Sequence, residues 1–364
     1  MAFLYSDEQI AIGEEARRQL AARFDGKALR AILERGEGHD AGFWKTCGEN
    51  GWTGVAIPEE HGGLGLGLIE LCRIAEATGR VVAGAPFLST SYAAAEAIAR
   101  WGSDEQQAHW LPGLAAGETI GVLASTEGNS VAPRTPATQV RGGKLRGTKR
   151  AVTGGGAADV AIVQADAGDG ETALFVVPLD DVERIALDAF DPSRAAADLI
   201  FDGQVAERLP RSDVASLGTL LCRLAVVVAA EQVGGADACI EVARDFANSR
   251  VAFGQPIGKF QSVKHGIAEM WVLNELARAA TADAAHRFDS GAPGAELAAA
   301  TARLNASDAY EQAAWLATQV HGGIGVTWEA DLHLHYRRAR ATALELGQPA
   351  MWEDRIVAAL EQQP

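Results

Sequence analysis

Two changes of texture, one at Thr119 and one at Leu209, constrain the fold of this chain more than any single motif. Before Thr119, apolar and small residues recur at helical spacing over residues 10–24, 43–52, 68–80 and 90–101. Ser6-Asp7-Glu8-Gln9 and Ser103-Asp104-Glu105-Gln106 each fit a capping box, with serine as N-cap and glutamine reaching back to its backbone N–H. After Thr119 the runs become short and β-prone, at 120–123, 138–140, 160–164, 173–177 and 198–201. Turn clusters such as Arg141-Gly142-Gly143-Lys144 and Gly154-Gly155-Gly156 separate them. From Ala215 the pattern is helical again and the segments are long. Residues 217–249 read as nearly continuous, with Leu220, Leu221, Leu224, Val227 and Val228 along one face, and 259–288 and 295–320 follow.

This order predicts an α+β multidomain protein: an N-terminal all-α domain over 1–118, a middle β-sandwich or barrel over 119–208, and a C-terminal four-helix-bundle-like domain over 209–364. A chain of 364 residues suits two or three domains of roughly 100–150 residues each.

Charge and cysteine usage narrow the function classes. The formal net charge of −16 argues against nucleic acid and against an anionic membrane as partners, and an anionic substrate needs a local basic pocket. Cys47, Cys72, Cys222 and Cys239 are scattered without a Cys-x-x-Cys pair, which points to buried thiols in a reducing compartment. Residues 1–15 carry acids early and no apolar run, and the longest apolar stretch, 224–230, is too short to span a bilayer. A cytoplasmic protein is expected. His333 and His335 stand two apart and do not share a helix face, so no metal site is expected. Lys144, Arg146, Lys149 and Arg150 form the densest basic run and read as a solvated turn and strand edge.

Four motifs, in order, resemble those of the FAD-dependent acyl-CoA dehydrogenase family over essentially the whole chain. They are the Gly- and Pro-rich loop from Gly54 to Gly65; Gln106 with Trp110-Leu111-Pro112-Gly113-Leu114 and Gly117-Glu118; Arg250-Val251-Ala252-Phe253-Gly254-Gln255-Pro256-Ile257-Gly258-Lys259-Phe260-Gln261; and Gln319-Val320-His321-Gly322-Gly323-Ile324-Gly325. The resemblance implies α,β-dehydrogenation of an acyl-CoA thioester: a carboxylate takes the α-proton while FAD accepts hydride from the β-carbon. It also implies a tetramer in which a neighbouring subunit holds the adenosine diphosphate half of each FAD, with electron-transferring flavoprotein as the usual acceptor.

Carried over residue by residue, the resemblance places Arg250 on the FAD pyrophosphate, Phe253 and Gln261 at the adenosine half, and Gln319, Gly322 and Gly323 in the turn that approaches the pyrophosphate. The flavin-lining Thr-Glu-Pro-Gly-x-Gly-Ser-Asp loop is shortened to Thr126-Glu127-Gly128-Asn129-Ser130, and the Trp-Ile-Thr strand becomes Ala151-Val152-Thr153, which leaves Thr126 and Thr153 on the flavin side. The usual position of the catalytic glutamate holds Leu346, with Glu345 one residue early, about 100° away around a helix. A minority of the family puts its base just before an arginine that resembles Arg223, and there the residue is Cys222; Arg223 is the candidate substrate-binding residue, or else pairs with an acid. Neighbour-serving residues are kept while those for a self-contained site are changed. That pattern resembles bacterial heterotetrameric members acting on steroid side chains, and implies the base-lacking partner in such an enzyme. The alternatives are a homomeric dehydrogenase with Glu345 as a displaced base, and a non-redox acyl-CoA hydro-lyase or structural subunit on the same fold.

Overall fold

The computed structural model describes residues 5–23, 30–31, 34, 41–82, 92–168 and 170–361. Helix α1 (Asp7–Arg23) opens on a complete capping box: Gln9 N donates to Ser6 Oγ at 3.2 Å and Ser6 N to Gln9 Oε1 at 2.9 Å. The same reciprocal pair at Ser103 and Gln106 starts α5 (Asp104–Ala116), which runs on through Pro112. Between them lie α2 (Ala41–Glu49), α3 (Leu68–Arg80) and α4 (Ala93–Trp101). The helical pattern expected over 90–101 therefore begins outside the described residues. The loop after α2 turns at Gly51 (φ 72°), and Gly63 lies so close to Ile57 that a Cβ there would stand 2.1 Å from the Ile57 carbonyl oxygen.

Strands β1 (Gly121–Ala124), β2 (Gln139–Arg141), β3 (Lys144–Thr153), β4 (Val160–Gly168), β5 (Glu171–Pro178), β6 (Glu183–Leu187), β7 (Ala196–Val205) and β8 (Glu207–Arg208) form one sheet. Its order is β6-β7-β3-β2-β4-β5-β8, with β1 parallel on β4. Val122, Leu145, Val152, Val163, Phe175, Val177, Leu199 and Phe201 from these strands meet in one apolar core. Each of the five expected β runs overlaps a strand, with Ile120 and Thr138 just outside β1 and β2. The ten-residue β3 was hidden behind its charges: with Lys144, Arg146, Lys149 and Arg150 in the strand, Leu145 and Val152 are its only large apolar residues.

The chain ends in long helices: α6 (Ser216–Ser249), α7 (Gln261–Ser290), α8 (Ala295–His321), α9 (Leu332–Glu345) and α10 (Pro349–Glu361), with a small hairpin of β9 (Val251–Ala252) and β10 (Gln255–Pro256) after α6. Helix α6 is long and apolar enough to cross a membrane, but 89% of its most apolar window is buried inside the fold, as in a core helix. All four cysteines are buried free thiols.

Two compact units cut across the three consecutive segments expected. One comprises residues 1–30, 68–83 and 225–364; the other comprises 31–67 and 84–224. In the first, α3 meets the long helix α6 through small residues. A Cβ on Gly79 would stand 1.9 Å from the Glu231 carbonyl oxygen, and one on Gly234 would stand 1.8 Å from that of Glu76. The two glycines let α3 and α6 approach backbone to backbone, a closeness that no periodicity announces.

Candidate cofactor site

At one end of the helical unit, three chain segments converge. Helix α6 ends at Ser249, and Arg250 N still donates to Phe246 O at 2.8 Å, so Arg250 leaves the helix at a fixed point. The ring of Phe246 stacks on His321 at the end of α8, centroids 4.0 Å apart, which joins the Arg250 hairpin to the Gln319–Gly323 turn. Phe253 at the hairpin tip meets Phe260, the N-cap of α7, edge to face at 6.2 Å, and Gln261 follows as the first residue of that helix. Arg250, Phe253, Gln261, Gln319, Gly322 and Gly323, scattered over 74 positions from Arg250 to Gly323, thus lie at the same end of the bundle.

Each of these residues faces outward. Phe253 is 96% exposed and sits at φ 51°, a left-handed conformation that a bulky side chain adopts only at a cost of order 1–3 kcal/mol. Arg250 is exposed, and among the described residues it has no ion pair. Gly322 (φ 62°) donates back to the carbonyls of Gln319 and Thr318, closing α8, and a Cβ on either Gly322 or Gly323 would meet nothing of its own chain within 4 Å. An outward arginine, an exposed aromatic ring and a turn with open space above its backbone fit a dinucleotide: a bidentate cation and a close backbone approach for pyrophosphate, and an apolar face for an adenine ring.

The two residues that the resemblance puts on the flavin side, Thr126 and Thr153, lie in the other unit. Thr153 ends β3, paired with Ala196, and Thr126 follows β1 with its carbonyl accepting from Arg150 N at 2.9 Å. Between Arg150 and Val152 the strand bulges: Ala151 takes φ 48°, its N–H donates to Asp198 at 2.8 Å, and Asp198 also pairs with Arg150. One residue earlier stands Lys149, which the basic run had marked as solvated. It is fully buried, with Nζ 2.6 Å from Glu127 Oε1 and 3.2 Å from Ser125 O. Burial pushes its ammonium down to about 8, against the pull of Glu127. Although its own partial burial works the other way, hydrogen bonds from Lys149, Thr138 and Ala137 hold the Glu127 carboxyl below its ordinary value. A Glu-x-x-Ser turn beside an i+22 lysine carries no local signal of this pair.

Neither family position for the catalytic base holds a carboxylate. Leu346 caps α9, buried, and its carbonyl accepts from Trp352 Nε1 at 3.2 Å. Glu345, the last residue of that helix, is half-buried. Cys222 is fully buried, and Arg223 beside it is buried with Nε 2.5 Å from Glu96 and 3.0 Å from the Tyr92 hydroxyl. That internal pairing is the packing alternative raised for Arg223, and we assign it no substrate contact. His335 bonds to the Tyr310 hydroxyl at 2.9 Å and His333 stacks on Trp328, so the two imidazoles do not converge.

Models of the acyl-CoA dehydrogenase N-terminal and C-terminal domains match residues 6–118 and 218–360. Acyl-CoA dehydrogenase IpdE2 of Mycobacterium tuberculosis is 32% identical over 345 residues, covering 94% of both chains. Among solved structures, a variant of the Tcur3481–Tcur3483 steroid ACAD superposes with a TM-score of 0.89 at 28% identity, covering 98% of each chain. The ChsE4–ChsE5 complex of Mycobacterium tuberculosis gives 0.90 at 26%, covering 99% of each. Two domain models that together span most of the sequence, and a relative 32% identical over 94% of the chain, place this chain in the acyl-CoA dehydrogenase family of oxidoreductases.

Proposed function

We propose that this chain is the base-lacking subunit of a heteromeric, FAD-dependent acyl-CoA dehydrogenase that takes a bulky acyl-CoA, steroid side chains included. The observation that carries this reading is Leu346: the position of the catalytic carboxylate holds a buried apolar side chain, on a residue whose backbone carbonyl accepts from Trp352 Nε1, and the second position holds the buried thiol of Cys222. A second chain then supplies the carboxylate that takes the α-proton. Two of the structures this chain is similar to are a steroid ACAD of two named components and a complex of two named chains, which supports a heteromeric reading.

In this arrangement Arg250 would hold the FAD pyrophosphate, with Gln319 in the turn beside it, and Phe253 and Gln261 would hold the adenosine half. Gly322 and Gly323 let the backbone approach the phosphates. FAD, when bound, supplies the hydride acceptor, and electron-transferring flavoprotein takes the electrons onward. Thr126 and Thr153 are the flavin-facing residues that this chain retains. A partner also fits the surface: Trp271, Val272 and Leu276 on α7 and Trp315 on α8 are large, apolar and exposed, as at a protein–protein interface.

The test is turnover of a panel of acyl-CoA thioesters with a dye acceptor. The lone chain is expected to be inactive, and the chain co-expressed with a second acyl-CoA dehydrogenase subunit of the same genome active, with Glu345→Gln in this chain leaving the rate unchanged. Turnover by the lone chain that Glu345→Gln abolishes would instead establish a homomer with a displaced base. Acyl-CoA binding without flavin in either form would point to a non-redox role.

A further inference from the structure

Three consecutive residues at the end of β1 are each tethered to one strand. The Ser125 carbonyl accepts from Lys149 Nζ at 3.2 Å, the Thr126 carbonyl from Arg150 N at 2.9 Å, and the Glu127 carboxylate from Lys149 Nζ at 2.6 Å. Glu127 also accepts from the N–H groups of Ala137 at 2.6 Å and Thr138 at 3.1 Å, where the chain enters β2. Glu127 and Ser130 exchange backbone hydrogen bonds of 2.9 and 3.0 Å, with Gly128 at φ 55°, so the loop closes within four residues. The ammonium of Lys149 is the hub of this set. It lies on β3 just before the bulge, four residues ahead of Thr153.

We propose that the buried Lys149–Glu127 pair is a positioning device: it holds Thr126 in fixed register with Thr153 in a loop too short to carry the family's Ser-Asp pair. The inference rests on the proposed flavin-facing role of Thr126 and Thr153. A buried ion pair is a poor source of net stability, because desolvation offsets most of the attraction, but its geometry is strict. Here that strictness falls on one threonine. Lys149 reaches both neighbours of Thr126, and Arg150, the next residue on the strand, takes Thr126 itself. Removing the ammonium frees Ser125 O and leaves the Glu127 carboxylate on the N–H groups of Ala137 and Thr138, so that of the ties named above only the bond from Arg150 N still joins this turn to β3.

The experiment uses FAD as the probe, in the complex of this chain with a second subunit. It compares Lys149→Met, Lys149→Arg, Glu127→Gln and Thr126→Val by FAD affinity, by the position of the bound flavin's visible band, and by the melting of the FAD-free protein. Lys149→Met and Glu127→Gln are expected to weaken FAD on the order of tenfold and to move the flavin band, as the loss of a charge-assisted hydrogen bond does, with Lys149→Arg recovering part of both. Glu127→Gln keeps side-chain shape and serves as the measurement if Lys149→Met does not fold. If Thr126→Val changes affinity and band while both charge-removing variants change only melting, the pair is merely structural and the proposal is overturned. If Thr126→Val changes neither, the flavin-facing reading itself fails and the inference falls with it.

Discussion

Glu231 and Arg338 form an ion pair in the helical unit whose loss is the most direct test of how this bundle is held. Both side chains are 1% exposed, with Nη1 2.6 Å from Oε1. Glu231 cannot move away to solvent: its carbonyl lies against Gly79 at backbone contact, and its neighbour Gln232 is tied to Arg303, Ser307 and Thr342. Glu231→Gln removes the carboxylate from a buried pair, and breaking such a pair from one side costs about 3–5 kcal/mol. At about 2–4 °C per kcal/mol for a unit of this size, the midpoint falls by roughly 6–20 °C. The double variant Glu231→Leu/Arg338→Met removes both charges at similar volume and is expected to recover most of the loss, since well-packed apolar replacements of a buried pair are often neutral. Urea and thermal unfolding followed by circular dichroism, with the two singles and the double, measure the coupling. A Glu231→Gln loss below about 1 kcal/mol, or a double variant as unstable as the sum of the singles, would refute the reasoning.

Three further outcomes follow from local geometry. Burial pushes the His335 imidazole down to about 4, with Arg338 and Arg80 adding to it, so the unfolded chain binds the proton first. The stability that neutral His335 contributes is complete above pH 6.5 and lost as pH falls from 6.5 to 4, about 3 kcal/mol in all, and unfolding of His335→Gln should show a correspondingly shallower pH dependence across that window. Gly79→Ala pushes a methyl to 1.9 Å from the Glu231 carbonyl oxygen and must part α3 from α6, so a melting loss larger than that of any exposed glycine-to-alanine change is expected; an unchanged midpoint would contradict the close crossing. Asp289, at the end of α7, accepts from both Leu68 N at 2.9 Å and Ile69 N at 3.0 Å at the start of α3, and Asp289→Ala should cost about 0.5–2 kcal/mol in unfolding experiments, with Asp289→Glu failing to restore it if the two-oxygen geometry matters.

Much of the architecture was legible because its signals are local. The two capping boxes, the lengths of α6 to α8 and the five strand runs rest on residues a few positions apart. The candidate cofactor residues come from the resemblance, and their convergence depends on pairs such as Phe246 and His321, 75 positions apart in the sequence. What escaped was nonlocal. Lys149 looked solvated because its neighbours Lys144, Arg146 and Arg150 are exposed, and only the fold turns every second residue of β3 inward to meet Glu127. Arg223 finds its acid on α4, 127 positions away, which no spacing rule reaches. The two compact units follow from glycine contacts between α3 and α6, not from the changes of texture along the chain.

The central claim is that this chain holds FAD only together with a different subunit that brings the carboxylate. The most direct measurement is the visible absorption spectrum and flavin content of the chain purified alone and again after co-expression with a second acyl-CoA dehydrogenase subunit. A colourless lone chain, and a yellow complex that Arg250→Ala bleaches, is the predicted result. Tightly bound flavin at one per chain in the protein purified alone would contradict it.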